Sequence, residues 1–72
     1  MSTVKLNTPD GGSIVIDIHS ITGIFIQGSI AEIFLNTSPY KVTVLVDDPF
    51  LLLLTKYYQY ISQLGNKSKP KT

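Results

Sequence analysis

Through the first 46 positions, apolar residues tend to alternate with polar ones, and the alternation breaks where turn-forming residues cluster. The first apolar segment, Val4 to Leu6, ends at Thr8-Pro9-Asp10-Gly11-Gly12. Proline presets φ for the first corner, aspartate favours the next position and the glycines accept positive φ, so a hairpin turn is predicted. Ser13 to His19 follows with Ile14, Ile16 and Ile18 on one face and Val15, Asp17 and His19 on the other, the period of a half-buried strand. Ser20 to Gly23 reads as a corner with Ile21 turned inward. Ile24 to Gln27 is predicted as a third strand and Gly28-Ser29 as its turn. Ile30 to Leu35 is the fourth strand, Asn36-Thr37-Ser38-Pro39 the next turn, and Tyr40 to Val46 the fifth strand.

The period then changes. Asp47-Asp48-Pro49 is a helix start, with Asp48 as the expected cap and Pro49 at the first helical position. Phe50, Leu54, Tyr57, Ile61 and Leu64 recur at spacings of four, three, four and three, and Gly65 marks the expected stop. The sequence therefore predicts an α+β fold: an antiparallel sheet of about five strands, a meander or SH3-like half-barrel, followed by one C-terminal helix over about 49–64. Residues 1–65 form a single domain and 66–72 a flexible lysine-rich tail. Ile, Val and Thr supply 21 of the 72 residues against a single alanine, Ala31, which favours sheet over a helical bundle.

The helix begins with a surplus. Phe50-Leu51-Leu52-Leu53-Leu54 is apolar on every side, and a helix apolar all round needs cover all round. One small sheet cannot supply it, whereas a second copy of the chain can. Phe50, Leu51, Leu52 and Leu54, with Tyr58 nearby, are therefore the expected interface of a homo-oligomer, a dimer by preference. The composition agrees: 43% hydrophobic against 15% charged residues, and no cysteine to brace a small domain with disulfides.

Charge narrows the partners. All six basic residues are lysine, and Lys67, Lys69 and Lys71 lie in the last seven positions, so residues 1–65 carry a net of −2. A phosphate-gripping surface is usually basic and rich in arginine. Binding of single-stranded nucleic acid through Lys5, Phe25, Tyr40 and Lys41 is thus the disfavoured alternative to protein–protein interaction. His19 has no nucleophile and no second ligand beyond Asp17 two positions away, and no phosphate-loop pattern occurs. The expectation is a non-enzymatic interaction or adaptor protein without catalytic residues, cofactor or metal. No signal peptide or membrane span is read, and the cytoplasm is the expected location.

The string Val4-Lys5-Leu6, Asp10-Gly11, Ile14 to Ile18, Ile21, Ile24, Ile33-Phe34-Leu35, Tyr40 to Val46 and a terminal helix resembles the short flagellar and swarming motility proteins over about residues 4–61. The resemblance implies the same succession of strand, glycine turn, Ile-x-x-Ile corner, further strands and C-terminal helix. Asn36-Thr37-Ser38-Pro39 stands where that family has a glycine-lysine turn, and no functional residue is carried over. The pattern is also similar to an SH3-like barrel closed by a helix, as in small chromatin proteins. It is similar, too, to the dimeric transcription-coactivator fold, whose helix mediates dimerisation. These two imply nucleic-acid binding on faces more basic than this chain provides.

Overall fold

Two turns and one capped helix start organise the chain in a computed structural model that describes residues 2–68, with side chains through residue 64. The first hairpin pairs β1 (Thr3–Asn7) with β2 (Ser13–Asp17), setting Val4 opposite Ile16 and Leu6 opposite Ile14. Its turn is built as the residues dictate. The Thr8 amide donates to the Gly12 carbonyl at 3.0 Å and the Gly11 amide to the Thr8 carbonyl at 3.1 Å. Gly11 takes a φ of 91°, a left-handed conformation that L side chains disfavour. The Thr8 hydroxyl, and then the Gly12 amide, donate to the Asp10 carboxylate and hold its pKa below the ordinary carboxylate range.

The second strand stops at Asp17, two residues short of the expected His19. The Asp17 carboxylate accepts the His19 amide at 3.0 Å and caps a single 3-10 turn, Ile18–Ser20. The Ile18 amide donates back to the Ser2 carbonyl at 2.7 Å. That turn carries the chain away from the hairpin. The remaining strands therefore form a separate sheet: β3 (Ile21–Gln27), β4 (Ile30–Leu35) and β5 (Lys41–Leu45), antiparallel in that order. The five expected strands are present, but as a two-stranded and a three-stranded sheet. The expected corner at Ser20–Gly23 is mostly strand. A bulge between Ile21 and Gly23 absorbs the extra residue and leaves Ile21 buried opposite Leu35.

Alternation then decides burial. Ala31, Ile33 and Leu35 of β4, with Val42 and Val44 of β5, point into the core. They share it with Val4, Leu6 and Ile16 of the hairpin and with Ile18 of the turn. The helix α1 (Asp48–Ser68) packs chiefly on β1 and the 3-10 turn, and Phe50 and Leu53 complete the core with no exposed surface.

Asp47, not Asp48, caps this helix. Its carboxylate Oδ1 accepts the Phe50 amide at 3.4 Å, its carbonyl accepts the Leu51 amide at 3.0 Å, and Oδ2 accepts Asn7 Nδ2 at 2.8 Å. The last bond ties the helix start to the end of β1. Asp48 becomes the first helical residue and Pro49 the second, where a missing amide hydrogen still costs nothing. The helix also passes Gly65, because one glycine costs a helix only about 1 kcal/mol relative to alanine. The first three residues of the expected tail, 66–68, finish the helix, and 69–72 lie outside the described residues.

Candidate interaction surface

Side-chain chemistry collects in three places: the outward flank of α1, the outer face of the three-stranded sheet, and a groove beside His19.

On the helix, the core claims one side only. Phe50 and Leu53 are fully buried, while Leu54, Tyr57 and Tyr60 are half-buried against them. Phe50, expected at an interface, therefore belongs to the core, because the Asp47 cap and the Asn7 tether turn its side towards β1. Leu51 and Leu52 are 53% and 51% exposed, so no loop folds over them. At about 100° per residue, Leu51, Leu54, Tyr58 and Ile61 share one flank, within about 80° of each other. Tyr58 is 63% and Ile61 42% exposed. The Tyr57 and Tyr58 rings lie 6.3 Å apart, carrying aromatic surface from the half-buried side round to this flank. Leu52 stands about 100° away from Leu51, on the side of Thr55, Lys56 and Gln59, and so is separated from the others. Of the expected interface residues, Leu51, Leu54 and Tyr58 are brought together. Ile61 joins them; the three- and four-residue spacing sets it in one stripe with Phe50 and Tyr57, and its exposure places it on this flank instead.

The outer face of the three-stranded sheet follows from its register. Phe25 sits opposite Glu32, Phe34 opposite Gly23 and Lys41, and Ile30 opposite Leu45. Phe25 and Phe34 are therefore diagonal neighbours on one face, and both are exposed. Lys41 Nζ lies 3.6 Å from Glu32 Oε2 across the same face. That pair is partly solvated and contributes about 0–1 kcal/mol. Phe25 and Lys41 of the expected nucleic-acid contact thus share this face on either side of β4, with Tyr40 just before β5. Lys5 is on the other sheet, opposite Val15. Phe34, absent from that expected set, belongs to the patch; it alternates with buried Ile33 and Leu35, which marks it as outward-facing.

The groove runs between the 3-10 turn and α1, lined by Ser2, Ile18, His19, Lys56, Tyr60 and two glutamines. The His19 and Tyr60 rings lie 4.5 Å apart at 43°. The Asp17 carboxylate is spent on the His19 backbone amide. Asp17 and His19 are therefore joined by a cap and not by a carboxylate–imidazole contact. Among the described residues no three His, Cys, Asp or Glu side chains cluster as metal ligands. No described helix is long and apolar enough to cross a membrane.

Comparison with family models, with curated proteins and with solved structures finds no match for this chain. The functional reading rests on these surfaces.

Proposed function

We propose that this protein acts by binding and not by catalysis: it is a small interaction or adaptor protein that self-associates through the outward flank of α1. The observation that carries the reading is the exposure of Leu51, Tyr58 and Ile61 along one side of a helix whose other side is sealed in the core. Apolar surface removed from water contributes roughly 25 cal/mol per Å². Alternating steps of three and four residues are also the seam along which two helices interlock side chains. A second copy offers the matching seam. Light scattering on a sizing column at micromolar concentration is expected to give twice the 7.9 kDa chain mass, and a single-chain mass overturns the reading.

A second reading rests on the outer sheet face. Phe25 and Phe34, side by side with Lys41 adjacent, have the form of a stacking platform for single-stranded nucleic acid. Against it, Lys41 is shared with Glu32, Lys5 is on the other sheet, and residues 1–65 carry a net of −2. Fluorescence anisotropy with a labelled oligonucleotide at about 50 mM salt, where phosphate attraction is strong, tests it; no binding there removes it.

A further inference from the structure

Resting on the reading that this protein acts by binding, we infer that the free edge of β3 is a docking site for an extended, uncharged segment of a partner protein, which joins the three-stranded sheet as a fourth strand. β3 ends the order β3-β4-β5, so one of its edges faces no strand.

The register fixes which backbone groups lie on that edge. The Leu35 amide donates to the Tyr40 carbonyl at 2.8 Å, closing the β4–β5 turn. Hydrogen-bonded pairs recur at every second residue of an antiparallel ladder. Ala31, Ile33 and Leu35 therefore direct their backbone groups to β5, and Ile30, Glu32 and Phe34 direct theirs to β3. Opposite those three stand Gln27, Phe25 and Gly23. Ile24 and Ile26 are left with amide and carbonyl aimed away from the sheet, and among the described residues nothing bonds to either. Two such donor–acceptor sets, about 7 Å apart along the strand, fit one kind of occupant, another extended backbone.

Side chains define what that backbone carries. Ile24 and Ile26 stand opposite buried Ile33 and Ala31, hence on the core face, yet Ile24 is only half-buried and Ile26 is 49% exposed. The core layer runs out to the edge with no neighbour to finish it. An added strand sets its two paired residues beside Ile24 and Ile26, and apolar side chains there extend the core. The residue between them lies beside exposed Phe25 on the outer face. The recognised pattern is apolar–any–apolar, without proline at either apolar position, where an amide is needed. Ile21 to Gln27 contains no charge and no proline, the devices that usually guard a free edge. A second copy's β3 on this edge, added to a copy on α1, would give each chain two self-pairing surfaces and a mass above two chains.

Amide exchange followed by NMR on the full chain reads the edge directly. Alone, the protein is expected to exchange the Ile24 and Ile26 amides fast and those of Phe25 and Gln27 slowly. The probe is a capped peptide of alternating threonine and valine with a terminal lysine for solubility. At about 1 mM it is expected to slow Ile24 and Ile26 about 10-fold, and the same peptide N-methylated at its valines is expected to leave them unchanged. I26P removes an amide that the fold does not use, so it is expected to keep the circular dichroism spectrum and to lose the slowing at Ile24. No slowing with the unmethylated peptide overturns the docking site, and equal slowing by the methylated one overturns backbone pairing. Slow exchange at Ile24 and Ile26 without peptide, at a mass above two chains, assigns the edge to a second copy and overturns the partner segment. A single-chain mass for the wild type overturns self-association through α1 and not the docking edge, because β3 is a separate surface.

Discussion

Phe50 and Leu53 alternate in pairs with Leu51, Leu52 and Leu54 in one unbroken apolar run, yet their fates diverge. Phe50 and Leu53 have no exposed surface, whereas Leu51 and Leu52 are about half exposed. Composition cannot separate them, since all are large and apolar. What separates them is a polar device just upstream: Asp47 caps the helix and accepts Asn7, and this sets the rotation of α1 over β1. One side of the helix start thus serves the fold, and the other is left exposed.

Substitutions on the two sides should behave differently. Truncating the buried side has the largest effect. Phe50→Ala or Leu53→Ala is expected to cost about 3–5 kcal/mol, a large part of the roughly 5–15 kcal/mol by which such domains are stable. Urea denaturation followed by circular dichroism measures this, and a loss under about 1 kcal/mol would mean that these residues are not core. On the open side, Leu51→Asp with Tyr58→Asp is expected to leave the circular dichroism spectrum intact while weakening association about 100-fold or more, because unpaired carboxylates would enter an apolar seam. Unfolding of that variant would place the pair in the core instead.

Asp47→Ala tests the device that divides the sides. It removes the cap and strands Asn7, with an expected loss of about 1 kcal/mol. Asp48→Ala should change stability less, and the reverse order would return the cap to Asp48. The smallest effect belongs to the hairpin turn. Asp10 has a folded pKa below its unfolded one, so its contribution is present above the unfolded pKa and is lost as pH falls through the lower, folded value. Asp10→Asn should accordingly reduce the acid-side decline in thermal stability below about pH 4, the ordinary aspartate range. An unchanged decline would detach Asp10 from it.

The same contrast explains how much was legible beforehand. Strands with one wet face announce themselves: Val4 and Leu6 flank Lys5, and Val42 and Val44 flank Thr43, and each of these apolar residues is buried. The Thr8–Gly12 turn was legible because its residues have specific backbone preferences. Pairing was less so, since a period of two says which face a residue takes but not which strand lies beside it. The division into two sheets depends on Asp17, whose place in the alternation hides its service as a cap. Asp47 and Asp48 are chemically equal candidates for the helix cap, and only the chain path past Asn7 distinguishes them. Within Phe50–Leu54 the pattern is silent by construction, because a run that is apolar all round carries no phase. The apolar surplus of the helix start was therefore legible as a region, while the burial of Phe50 and the exposure of Ile61 required the fold. The outer sheet patch shows the same limit: Phe25 and Lys41 were visible singly, and the register brought them together with Phe34 and away from Lys5.

Sedimentation equilibrium of the wild type beside the Leu51→Asp/Tyr58→Asp variant tests self-association through α1 most directly. The wild type should sediment at twice the 7.9 kDa chain mass and the variant at 7.9 kDa with its secondary structure retained. A wild type that sediments as one chain, or a folded variant that still sediments as two, would contradict it.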